Sequence, residues 1–345
     1  MSYSPDIKEI TPTEADWLWK DARDAVDQIG PEAFLTEAGI NRTTQVAAEL
    51  AKTLPSQVKD TGFDFQENGI PNGAVVFRSL RPPEELTHVI PDEFLPEDPW
   101  SQAAGLLAVT FTTAFGPPIQ FSTHPSGVKK FVTSISPRPG LEDSMTVSMT
   151  ADTGWHTEVG SSPWRPATIQ LLGIRSDERA AVNSLIPAQR IINALDPETV
   201  EILKQARYII SDTLVPGSDT DPRPVITRNR RGEALTFTHR PNHPATAKRP
   251  PEIKLLDDSD KPAEKALAKV RFLLDKEGIA LATSHIILAG DVFAKDHNGL
   301  HSRGLITPGS NTRNRRWVLR TFGGEQAHLS NGPIVNPRLP FPIQR

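Results

Sequence analysis

Residues 154–160 read GWHTEVG, which places His156 and Glu158 two positions apart. On a helix, positions i and i+2 point in nearly opposite directions. On a β-strand they share a face and can converge on one metal ion. A lone His-x-Glu is a common accident, so the pair gains meaning only if the chain delivers a third ligand. The stretch 288–304, LAGDVFAKDHNGLHSRG, offers two candidates, His297 and His301, with Arg303 close behind. Two histidines and one carboxylate on one side of a metal leave coordination positions open, the pattern of non-haem Fe(II) oxygenases. The same set also suits a Zn(II) hydrolase. The chain has no cysteine, so any metal must be held by histidine and carboxylate.

Downstream, RRWVLRTF (315–322) carries Arg315, Arg316 and Arg320. As a strand it directs Arg316 and Arg320 to one face and Arg315 to the other. Guanidiniums aimed into an apolar interior require anionic partners. Protein carboxylates would serve, as would the carboxylates of a cosubstrate and a substrate. A barrel that binds a small anion without turnover would show the same pair.

The elements that must position these residues can be read along the chain. Thr11, Pro12 and Glu14 form a capping-box start to a helix that stops at Gly30, and a second helix is expected from Asn41. NGAVVFRSL (72–80) reads as a strand and residues 100–116 as a buried helix. VKKFVTSISP (128–137), MTVSMT (145–150) and ATIQLLGIRS (167–176) are β-like, and GWHTEVG falls between the last two. Helices return at 186–207 and 261–278. Strands are expected around 223–229, 233–241, 284–296 and 315–324. No internal repeat is evident, and 214–232 is polar and loop-rich. The expectation is one α+β domain, a sandwich or barrel core over roughly 70–325 with helices outside and between the strands.

Composition narrows the function classes. With 345 residues the chain can bury a large core, and its net charge of −4 gives no electrostatic footprint for nucleic acid. No apolar run reaches the length of a membrane span, and MSYSPDIKEI lacks a basic segment followed by an apolar one. A cytoplasmic enzyme with a small-molecule partner is expected.

Taken together, His156-Thr157-Glu158, the Gly290-Asp291 turn, His301 followed by Arg303, and RRWVLR resemble the clavaminate synthase-like branch of Fe(II)/2-oxoglutarate oxygenases. That branch includes non-haem arginine and asparagine hydroxylases. GAVVFRSL and FVTSISP resemble its barrel-entering strand and the strand before the triad. The resemblance implies a double-stranded β-helix (jelly-roll) core over 70–325 with flanking and inserted helices. A helical region over 1–60 would precede it within a single oxygenase domain, 1–345. It implies Fe(II) on His156, Glu158 and His301, with 2-oxoglutarate and O2 as cosubstrates. Arg316 would hold the far carboxylate of 2-oxoglutarate, Arg320 the carboxylate of an amino-acid-like substrate, and Thr133 its amino group. The family spaces an aspartate six residues before its distal histidine, whereas Asp296 and His301 are five apart, so His297 stands as the alternative ligand. LTFTHRPNH (235–243) offers no carboxylate for a basic substrate. It favours a neutral side chain, or an acidic one held by Arg240. Hydroxylation is the default outcome, with desaturation or cyclisation open to the same site.

Overall fold

The computed structural model describes residues 3–30, 33–91, 95–121, 131–137, 152–158, 165–176, 181–210, 221–240, 253–306, 316–325 and 338–339. Strands and helices are numbered in chain order.

A large sheet contains Asp6–Glu9 (β1), Ala74–Arg78 (β2), Pro118–Phe121 (β3), Thr133–Ile135 (β4), Thr168–Arg175 (β6), Val292–Asp296 (β15), Trp317–Gly323 (β17) and Arg338–Leu339 (β18). Its order is β1-β2-β15-β6-β17-β3-β18, with β4 also paired to β17. A second, wholly antiparallel sheet runs Thr238–His239 (β12), Trp155–His156 (β5), Leu300–Arg303 (β16), Val182–Ile186 (β7), Thr283–Ile286 (β14). Two small sheets complete the strands: Tyr208–Ile210 (β8) with Pro222–Arg223 (β9) and Ile253–Leu255 (β13), and the pair Ile226–Asn229 (β10) and Gly232–Leu235 (β11).

Side-chain alternation divides the large sheet into two faces. Val75, Phe77, Leu172, Val292, Ala294, Trp317 and Leu319 point outward into a core shared with the N-terminal helices. Those helices are Pro12–Asp24 (α1), Val26–Ile29 (α2), Glu37–Ala51 (α3), Ser56–Asn68 (α4), Glu85–His88 (α5) and Pro99–Phe115 (α6). The intervening residues Ala74, Val76, Leu171, Phe293 and Val318 point inward, where they meet Leu185 of the second sheet. The outer side of that sheet is covered by Ala188–Ala194 (α7), Pro197–Leu203 (α8) and Lys261–Leu281 (α9), packed on Trp155, Ile186 and Leu300. The result is a mixed α+β arrangement: helices, large sheet, smaller sheet, helices.

Most sequence expectations hold. The capping box of α1 is formed at Thr11 and Glu14. α6 is apolar on every side because it is enclosed by α1, α3, α4 and the large sheet. The helical stretch 186–207 is two helices, because Asp196 caps α8 with Pro197 at its first turn. The expected strand 145–150 lies outside the described residues, as does Arg315.

Candidate metal centre

The geometry of GWHTEVG begins with Gly154. Its φ of +59° is left-handed, and a Cβ there would lie 2.7 Å from the His239 carbonyl oxygen. Only glycine fits without strain. The turn brings the Gly154 carbonyl to 3.0 Å from His156 Nδ1. A carbonyl can only accept, so Nδ1 carries the proton and Nε2 presents its lone pair. α9 fixes the same strand from outside: Gly278 sits against Trp155, where a Cβ would come within 2.8 Å of the indole nitrogen.

Extended backbone then alternates the next side chains. Thr157 turns away from the inner face. Its hydroxyl donates to the Leu235 carbonyl at 3.0 Å, and its amide donates to the Phe237 carbonyl at 3.0 Å. His156 and Glu158 consequently face inward together. β16 lies antiparallel to β5 with His301 directly opposite His156, their ring centroids 4.2 Å apart. Glu158 Oε2 is 3.5 Å from His156 Nε2 and 3.6 Å from His301 Nε2. One ligand atom from each of the three residues lies within 4.8 Å of the others.

The electrostatics favour a cation in this space. Burial pushes the His156 imidazole down to about 4, with the nearby positive charge of Arg240 adding to it. Burial, then Lys295 and His156, hold His301 well below its ordinary value. Burial alone would raise the Glu158 carboxyl, yet Arg320, and after it the two facing histidines, hold it well below the usual carboxylate range. With Nδ1 protonated, His156 places a lone pair against the ionised Glu158 carboxylate. The separations also exceed a good N–H···O contact. Ligand atoms around one ion, at bonds of about 2.0–2.2 Å, stand roughly 2.8–3.1 Å apart at right angles and roughly 3.3–3.6 Å apart at tetrahedral angles, so the two contacts lie at the upper end of that range.

His297, the alternative ligand, lies outside the cluster. It is 2% exposed, its ring centroid is 5.8 Å from that of His301, and among the described residues neither ring nitrogen has a hydrogen-bond partner. Asp296 beside it turns toward Arg231, with 3.7 Å between Oδ1 and Nη2.

The two arginines flank the cluster differently. Arg320 Nη1 donates to Glu158 Oε1 at 3.0 Å, its guanidinium lies 4.8 Å from the Phe322 ring centroid, and its Nε is buried without a partner. Thr133, buried on β4, is directly opposite Arg320 across the ladder. Arg316 is 8% exposed, and neither its Nε nor its Nη1 makes a hydrogen bond among the described residues. Burial and Arg303 pull its guanidinium down to about 9. Orphaned donors on a buried guanidinium call for an anion beyond the described residues. Arg240 follows β12, where Thr238 pairs with His156, and packs over Gly154.

Sequence reasoning missed Lys295. It is 5% exposed, and burial brings its ammonium down to about 7, opposed by Glu158 and assisted by Arg320 and Arg316. The signal was present in GDVFAKD: a lysine two residues after Phe293 shares that residue's inward face.

No family model matches the chain. Among solved structures it is similar to an asparagine oxygenase (AsnO), with TM-score 0.75 and 20% identity over 96% of this chain and 98% of that one. Asparagine oxygenase in complex with Fe(II), 2S,3S-3-hydroxyasparagine and succinate gives TM-score 0.74 at 20% identity, covering 96% and 98%. The non-haem iron oxygenase OrfP, in complex with Fe and α-ketoglutaric acid, gives 0.74 at 18% identity, covering 94% and 95%. At such identities the likeness is one of fold.

Proposed function

We propose that the protein is an Fe(II)/2-oxoglutarate-dependent oxygenase. It acts on an unactivated C–H bond of an amino acid or amino-acid-derived metabolite, with hydroxylation as the outcome. The two facing sheets support a double-stranded β-helix core within a single oxygenase domain spanning the chain.

The observation that carries the proposal is the pairing of the His156, Glu158, His301 cluster with the orphaned donors of Arg316. A metal hydrolase needs no carboxylate-bearing cosubstrate beside its substrate, so the second feature favours the oxygenase reading. His156, Glu158 and His301 would hold Fe(II), which together with 2-oxoglutarate and O2 supplies the oxidising power, succinate and CO2 being released. The other roles belong to protein groups. The Gly154 carbonyl holds His156 in the tautomer that offers Nε2. Arg316 receives the far carboxylate of 2-oxoglutarate as a planar fork. Arg320 receives the substrate carboxylate through donors that Glu158 does not occupy, Thr133 orients the substrate amino group, and Arg240 borders the same space. The apolar inner residues Leu171, Phe293 and Val318 exclude water around these contacts.

The test is succinate release from 2-oxoglutarate with Fe(II) present, run beside a mass-spectrometric screen of amino acids and simple derivatives. A gain of one oxygen is expected, and a loss of two hydrogens would indicate desaturation or cyclisation. Absence of iron-dependent succinate release, with or without any substrate, would reject the proposal.

A further inference from the structure

The inner face of the large sheet is organised in rows across the strands. One row runs Thr133, Arg320, Leu171, Phe293, Val76; the next runs Phe322, Ile169, Lys295, Ala74. Lys295 therefore stands one row from Arg320, on the same face. Its strand neighbours Ile169 and Ala74 are apolar, as is Phe322 beyond. Among the described residues its ammonium has neither a hydrogen bond nor an ion pair. The charges that act on it are Glu158, Arg320 and Arg316, which are the groups of the metal centre itself.

Lys295, Arg320 and Arg316 thus converge, with Arg240 close to His156, on a space that holds one described carboxylate, and that carboxylate is engaged by Arg320 and faces two histidines. An ion on the triad adds further positive charge. A bound 2-oxoglutarate offsets the ion and satisfies Arg316. A substrate α-carboxylate satisfies Arg320, but its α-ammonium cancels that charge in the total. The Lys295 ammonium is left buried and uncompensated, which is a costly arrangement unless the ligand brings another anion. Arg240 makes an interaction of its own, whereas Lys295 makes none among the described residues.

We propose that Lys295 is a specificity residue that receives a second carboxylate of the substrate, so that the substrate is an amino dicarboxylic acid. The inference rests on the amino-acid oxygenase reading and narrows it. A neutral amide of the same shape cannot neutralise the ammonium, and a basic side chain would be repelled.

Calorimetric titration under anaerobic conditions, with Fe(II) and 2-oxoglutarate present, tests this without requiring turnover. The probes are L-aspartate, L-glutamate and L-2-aminoadipate against L-asparagine and L-glutamine. The wild type should bind one of the acids at least tenfold more tightly than either amide. Lys295→Met, which keeps the aliphatic stem, should remove that preference, and Lys295→Arg should retain it. The inference is overturned if the wild type binds an amide as well as any acid, or binds none of the acids. It is also overturned if Lys295→Met keeps the preference, or if its main effect is a weaker Kd for 2-oxoglutarate measured without amino acid. Succinate release, followed separately, reports on the oxygenase reading alone: its absence alongside a Lys295-dependent acid preference would reject that reading and leave this one standing.

Discussion

Arg320 and Glu158 divide one carboxylate between two tasks. Oε1 accepts from Arg320 at 3.0 Å, while Oε2 faces the Nε2 atoms of His156 and His301. The guanidinium therefore aims the glutamate as well as flanking the substrate space. Lysine keeps the charge but loses the planar fork. Arg320→Lys should raise the KM for the amino-acid substrate and also weaken iron retention, each by about 10–100-fold, the usual cost of disturbing a group that orients a ligand. Substrate titrations and iron dissociation rates check both effects. If neither changes, Arg320 is only a packing residue.

His156→Ala and Glu158→Ala should each abolish iron-dependent succinate release while leaving the far-ultraviolet circular dichroism unchanged. Glu158→Ala needs a parallel assay with added chloride, because an emptied carboxylate position can admit an anion. Near-wild-type turnover in either variant would remove that residue from the ligand set.

For the distal ligand, His301→Ala should be inactive and His297→Ala should lose no more than about 10–100-fold, as expected for a group outside the ligand cluster. The motive is the register of β16, which sets His301 directly opposite His156. An inactive His297→Ala beside a working His301→Ala would reverse the assignment.

Arg316→Lys should raise the apparent KM for 2-oxoglutarate by roughly an order of magnitude or more, since truncating a buried charge pair costs about 2–5 kcal/mol and lysine recovers only part of it. The increase should be the same with and without the amino-acid substrate. An unchanged KM would mean that the orphaned donors of Arg316 serve some other anion.

Gly154→Ala tests the turn that sets the His156 tautomer. The left-handed backbone costs a non-glycine residue about 1–2 kcal/mol, before the clash with the His239 carbonyl is counted. Thermal unfolding should shift down by several degrees and iron affinity should fall with it. A variant with wild-type Tm and iron affinity would show that the tautomer is set elsewhere.

How far the sequence could be read depended on whether local chemistry or distant pairing decided the outcome. α1 was legible because Thr11, Pro12 and Glu14 carry its start within four residues. α6 was legible because its composition alone demanded enclosure. α4 was not: it begins after Pro55 without a side-chain cap, and its buried stripe is only Val58, Gly62 and Phe65. β7 was missed because VNSLI has no alternation of its own, and pairing with β14 and β16 is what makes it a strand. At the site, His156 and Glu158 followed from spacing and His301 was favoured over His297 by resemblance, whereas the placement of His301 directly opposite His156 needed the β5–β16 register. Lys295 looked like an ordinary strand-end lysine until the row containing Ile169 and Phe322 was known.

That same β5–β16 register has a consequence for biogenesis. His156 and His301 are more than a hundred residues apart in the chain, and they become neighbours only when β16 adds to β5. Closing so long a loop is entropically expensive and tends to come late. A chain emerging from the ribosome with β5 formed and β16 still unsynthesised offers an ion two ligands instead of three. On the oxygenase reading, tight loading of iron would wait for β16. An ion held by His156, Glu158 and His301 would thus find its full ligand set only once β16 has paired with β5.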